Sequence, residues 1–208
     1  MALPDDVRVS WPVLAAALSV TAGAGLAAPW LSLGPMSSQM AIHIATMNMA
    51  APLVAVLHGW WRPHRHVVAG RLWAAAACQI AALWAWHLPS AHHAGTSPAI
   101  GAIVMHASLF ATSLWFWSSV VRLHPPDLWH GILALLATGK LSCLLGGLLV
   151  FAPRSILDHS APGSLEDQQL AGLLMIAACP ASYVVAGVLA ALRFVGLFPA
   201  PVRHLRSS

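Results

Sequence analysis

The chain has 208 residues, of which 59% are apolar and only 16 are charged (10 Lys/Arg, 6 Asp/Glu), for a net charge of +4 with His neutral. Soluble domains carry about 25% charged residues; this chain carries 8%, which excludes an ordinary soluble enzyme and a disordered chain. The pI of 9.6 does not indicate nucleic acid, because the basic residues are scattered between apolar runs instead of sharing a face.

Charge placement sets the architecture. No Asp, Glu, Lys or Arg occurs in the 53 residues from Val9 to Trp61 or in the 50 from Leu72 to Val121. Leu128 to Pro153 is broken only by Lys140, and Gln168 to Leu192 is uninterrupted. A membrane span needs about 20 apolar residues, so the long runs hold two spans each and the short ones hold one each. The chain reads as an all-α polytopic bundle, one membrane domain over 1–208, with six spans near 11–29, 37–60, 70–88, 99–121, 128–152 and 168–193. Turn residues at Pro29–Pro35 and Pro89–Pro98 mark where the long runs fold back.

In the first span, Ala15, Ser19, Gly23 and Ala27 form a small-residue stripe suited to close helix packing. The cysteines, Cys78, Cys143 and Cys179, lie inside spans without CxxC spacing and read as buried hydrophobes. In the second span, Met36, Met40, His43 and Met47 are spaced 4, 3 and 4 and share a helix face. His87 ends the third span in Trp86-His87-Leu88-Pro89, and His106 lies in the fourth beside Met105. At about 1.5 Å per residue, His43 and His106 lie about 9 and 11 Å inside the outer face, and His87 lies at its edge. Imidazole with thioether suits copper, Cu(I) above all. The competing account makes each Met a packing residue and each His a hydrogen-bonding partner of a neighbouring helix. His64, His66, His124, His130 and His204 sit near the opposite face, where interfacial solvation explains them.

Lys140 lies near mid-bilayer, either as a functional group or snorkelling toward the cytoplasm. Ser164-Leu165-Glu166-Asp167 has the capping-box pattern, and Gln168, with Gln169, is a further candidate to face the site. Met175 lies about two turns into the last span.

Phe151-Ala-Pro-Arg154 followed by Leu165-Glu-Asp-Gln-Gln-Leu-Ala-Gly-Leu-Leu-Met175 closely resembles the CtaG family of cytochrome c oxidase assembly factors. Trp86-His87-Leu88-Pro89, Ala50-Ala-Pro-Leu53 and His106 resemble further motifs of that family, and the resemblance covers about residues 37 to 193. The family often has His pairs four apart; here the first places hold Gln39 and Ala102, leaving His43 and His106. Many members also have a seventh span. The resemblance implies a non-enzymatic factor of the bacterial inner membrane that matures or copper-loads an oxidase. Its partners would be the nascent catalytic subunit and a periplasmic copper donor. Three other readings stay open: a copper transport or resistance protein, a b-type haem protein using His43 and His106, and a metal-free scaffold.

Orientation generates a test. Arg8, Arg62, Arg65, Arg71, Arg122, Arg193, Arg203 and Arg206 collect on one side, against Arg154 on the other. The positive-inside rule makes the first side, with both termini, cytoplasmic. Reporter fusions after Arg65 and at the C-terminus should read cytoplasmic, and fusions near His93 and Gly163 periplasmic. Opposite readings for Arg65 and the C-terminus would require an odd number of spans.

Overall fold

The computed structural model describes residues 33–61, 66–88, 98–155 and 164–196. The expected first span (11–29), its small-residue stripe and both termini lie outside these residues.

Helix α1 runs Pro35–Ile44, continues through a π-helical turn, Ala45–Ala50, and resumes as α2, Ala51–Trp61. Helices α3 (Ala69–Trp86), α4 (Pro98–Val121), α5 (Leu128–Phe151) and α6 (Ser164–Phe194) follow. Pro35–His58, Ile100–Val121, Leu128–Phe151 and Ser164–Phe194 are long and apolar enough to cross a bilayer. The chain is therefore a multi-pass, all-α membrane-type bundle. Helix α3 is shorter, at 18 residues, and carries Arg71 and the buried Gln79. It packs against α4 and α5.

Over the described residues, helical stretches lie within a few residues of 37–60, 70–88, 99–121, 128–152 and 168–193. The largest difference is at α6, which starts at Ser164 rather than 168 because its acidic first turn is already helical.

Helices α5 and α6 form the most extensive pairing. Glycine permits it: a Cβ on Gly172 would come within 2.7 Å of the Gly146 carbonyl oxygen, and one on Gly146 within 3.0 Å of that of Gly172. In lipid, such backbone approach and the dispersion it allows replace much of the hydrophobic driving force.

Two ties set the ends of the bundle. At one end Val67 N–H donates to the Arg122 carbonyl at 3.0 Å, joining the start of α3 to the end of α4. Aromatic residues gather nearby: Trp129 stacks on His130, and Trp73 Nε1–H donates to His130 Nδ1 at 3.2 Å.

At the other end Asp167, in the first turn of α6, caps helix α1. Met36 N–H donates to Asp167 Oδ2 at 2.7 Å, Ser37 N–H to Oδ1 at 3.1 Å, and the Ser37 hydroxyl to the same carboxylate. Gly34, at the N-cap of α1, has no side chain to do this, and Pro35 has no N–H. A Cβ on Gly34 would overlap the Asp167 carboxylate. The acid of the expected capping box thus serves a helix distant in sequence. Gln168, fully buried, acts similarly: its Nε2 donates to the Leu149 carbonyl at 3.0 Å and the Arg154 carbonyl at 3.5 Å, closing the turn from α5 to α6.

Removing the carboxylate strands two helix-terminal donors. Asp167→Ala should destabilise the protein in detergent by about 2 kcal/mol, read as a lowered thermal midpoint. Gly34→Ala should produce a similar loss by displacing the carboxylate, and Asp167→Asn a smaller one, because an acceptor oxygen remains. An unchanged midpoint in Asp167→Ala would show the cap to be dispensable.

Candidate metal-binding site

Three helices bring imidazoles together near the Asp167 end. The His43 ring centre lies 4.9 Å from that of His106 and 6.0 Å from that of His87. Two imidazoles sharing one ion, each about 2 Å from it through nitrogen, place their ring centres about 5 to 6 Å apart. Both pairs are at that scale. The donors converge without closing into a complete shell: among the described residues, no three His, Cys, Asp or Glu side chains are spaced as a metal-ligand set.

Local helical geometry orients two of the rings. His87 Nδ1 lies 2.7 Å from the Leu83 carbonyl, and His106 Nδ1 lies 2.7 Å from the Ala102 carbonyl. A carbonyl only accepts, so each Nδ1 carries the proton. In the neutral ring, Nε2 then presents a lone pair, which is how a backbone partner fixes a metal-binding tautomer. His106 Nε2 is buried without a hydrogen-bond partner among the described residues, as are both nitrogens of His43. His43 is only 4% exposed. Buried polar atoms are nearly always paired, so the two unpartnered lone pairs, one on neutral His43 and one on His106 Nε2, fit a soft or borderline metal ion.

Trp86 fixes the α3–α4 contact beside these rings. Its Nε1–H donates to Ser108 Oγ at 2.9 Å, and Ser108 Oγ–H donates to the Met105 carbonyl at 2.8 Å. The Trp preceding His87 is thus a positioning residue that sequence reasoning left unassigned.

A cavity of about 10 Å³ lies among Met36, Gln39, Met40, His43, Trp86, His87 and Met105. That is room for about one water-sized sphere. Gln39 Nε2–H points to the Met105 sulfur at 3.4 Å. Among these lining residues there is no carboxylate or thiol, so the donor set is neutral. A porphyrin does not fit between rings 4.9 Å apart beside so small a space, so the haem reading lacks its geometry.

The other sequence candidates lie elsewhere. Met47 and Met175 are buried in the core below the cavity, in one cluster with Met40 and Met105. Lys140 is on the exposed side of α5. Asp167 and Gln168 serve as the helix-end ties described above.

A family model, that of the cytochrome c oxidase caa3 assembly factor (Caa3_CtaG), matches residues 12–196. The chain belongs to this family. It is accordingly an assembly factor in haem-copper oxidase maturation and not an enzyme. No curated protein and no solved structure matches the chain. The family's association with copper-site maturation agrees in kind with the donors gathered at His43, His87 and His106.

Gln39 offers a direct probe of the cavity. Gln39→His adds an imidazole at a lining position of similar size. The variant should bind Cu(I) more tightly than wild type in competition with a chromogenic chelator. Unaltered affinity would mean that position 39 does not reach the ion.

Proposed function

We propose that the chain holds copper as cargo at His43, His87 and His106 and hands it to the nascent catalytic subunit of a haem-copper oxidase. The observation that carries this is the gathering of three imidazoles, with His106 packed against His43 and with His43 and His87 lining one ion-sized cavity, and the lack of hydrogen-bond partners for His106 Nε2 and the His43 nitrogens among the described residues. Met36, Met40 and Met105, with Gln39, supply soft or neutral supplements from the same walls.

The charge of the site favours the monovalent ion. Desolvation cost rises with the square of ionic charge, and a neutral donor set offers no Coulombic compensation. Cu(I) therefore enters this cavity more readily than a divalent ion, and its preference for thioether and imidazole acts in the same direction. Neutral ligands also release copper more easily than thiolates, as a handover requires.

In this reading the chain is a single six-span domain of the bacterial inner membrane with both termini cytoplasmic and the histidine cavity toward the periplasm. A periplasmic donor loads it, and transfer to the oxidase subunit proceeds laterally within the same leaflet. A transporter would need a route onward through the bundle. Below the cavity Leu72, Phe116, Trp117, Leu135 and Tyr183 form a packed apolar cluster, with Trp117 stacked on Tyr183 at 5.4 Å. That packing favours loading and unloading at one end.

The test uses His43→Ala and His106→Ala. Each should accumulate to wild-type levels, since the helices stay apolar, while copper affinity falls at least about tenfold. Oxidase activity should drop under copper limitation and recover when copper is added. Normal accumulation with full activity under copper limitation would instead support the metal-free scaffold.

A further inference from the structure

A second set of soft donors lies beneath the histidine cavity. Met47 in the π turn and Met175 and Cys179 of α6 belong to one contiguous buried cluster. Their exposures are 5%, 0% and 9%. Met175 and Cys179 are four residues apart and so share a face of α6.

Asn48 distinguishes this level from ordinary packing. It is 7% exposed, and its side-chain amide approaches the Cys179 thiol. Yet among the described residues neither its Oδ1 nor its Nδ2 completes a hydrogen bond. An unsatisfied primary amide inside a membrane bundle is costly, and apolar filler would call for Ala or Leu here. The backbone is irregular on both sides of the same level. The π turn Ala45–Ala50 carries Met47 and Asn48, and such turns are frequent at functional sites. Opposite, Pro180 follows Cys179 within α6 and removes the helical donor for the Ile176 carbonyl.

We propose that Met47, Met175 and Cys179, with the Asn48 amide beside them, form a second, deeper site for Cu(I) beneath the histidine cavity. Asn48 lies five residues past His43, about 7 Å further along the helix, so the two sites do not share one coordination shell. Two thioethers and a thiol are a soft donor set that selects Cu(I) over divalent ions of hard preference. Binding exchanges the thiol proton for the metal: S–H and Cu⁺ give S–Cu and H⁺. The proton is released to solvent, copper stays monovalent, and no oxidant or reductant takes part. The thiolate neutralises the cation, and the Asn48 N–H donates to the sulfur. The packed cluster around Phe116 and Tyr183 lies below, so an ion held here returns by way of the histidine cavity. The site is a reserve position behind the exchange site. The inference rests on the histidine reading for the supply of copper.

The test counts ions and identifies their ligands in the full chain, purified in detergent and loaded with Cu(I) under anaerobic conditions. Native mass spectrometry should find two copper ions on wild type and one on Cys179→Ser. Met175→Leu, which conserves volume, guards against a folding artefact and should also bind one. X-ray absorption should show nitrogen-dominated scattering in both of these variants. The double variant His43→Ala/His106→Ala should retain one ion with sulfur-dominated scattering. One nitrogen-ligated ion on wild type, unchanged by Cys179→Ser and Met175→Leu, would overturn the deeper site and leave the histidine reading standing. No copper on any form would overturn both. Loss of all copper from the histidine double variant alone would overturn the deeper site as an independent one.

Discussion

The Asp167 carboxylate is the constraint on which the site depends. It stands in the first turn of α6 and receives Met36 and Ser37 N–H from the first turn of α1. One negative charge thereby faces two positive helix ends. In a bilayer, helix-terminal donors cannot rely on water and must find partners in the protein. Because Gly34 and Pro35 supply none, α1 has a satisfied start only where α6 provides it. That fixes the depth of α1, and with it the depth of His43, two turns further on. Gly146 and Gly172 then hold α6 to α5, and Gln168 closes the turn between them. The site is set by a chain of backbone satisfactions that contains no metal ligand.

The parts of this arrangement legible in the sequence are those with local or one-dimensional signatures. Runs with few or no charges mark α4, α5 and α6, because excluding charge from lipid is a property of each segment alone. The depths of His43, His87 and His106 follow from counting residues inward from span ends at a fixed rise per residue, and the rings do lie side by side. Asp167 and Gln168 behaved differently. Their pattern matches a local cap, and only the packing of α6 against α1 and α5 decides which donors and acceptors they meet. Met47 is another such case. It falls in the π turn that follows His43 and is buried in one cluster with Met40, Met105 and Met175, where packing between helices, not spacing along one, sets its neighbours.

That π turn is held by side chains from α4. The Met47 carbonyl accepts from Ser113 Oγ at 2.9 Å and from Trp117 Nε1 at 3.1 Å. A π turn disturbs the regular pairing of helical carbonyls, and these two donors compensate at this residue. Trp117 also stacks on Tyr183, whose hydroxyl accepts from Gln79 Nε2 at 2.7 Å. Helices α3, α4, α6 and the π turn are therefore joined through one buried polar and aromatic group. Such networks favour a single packing, although the Gln79 side-chain oxygen has no hydrogen-bond partner among the described residues. Here they hold the layer directly beneath the sulfur-rich level.

The depth order of the donors bears on how a cargo ion is taken up and given away. His87 and His106 are partly exposed, His43 is buried, and Met47, Met175 and Cys179 lie beyond it. Moving inward, the donors change from imidazole toward sulfur, and the charge available to offset a cation rises from none to one thiolate. In the proposed reading affinity for Cu(I) therefore increases with depth while access decreases. An ion in the histidine cavity is the one a partner can reach, and it is held by neutral ligands that let it go. An ion at the deeper level is better stabilised and leaves only when the outer position is vacant. Two positions in series make delivery depend on whether the acceptor has emptied the first, and a single tight site would lack that property.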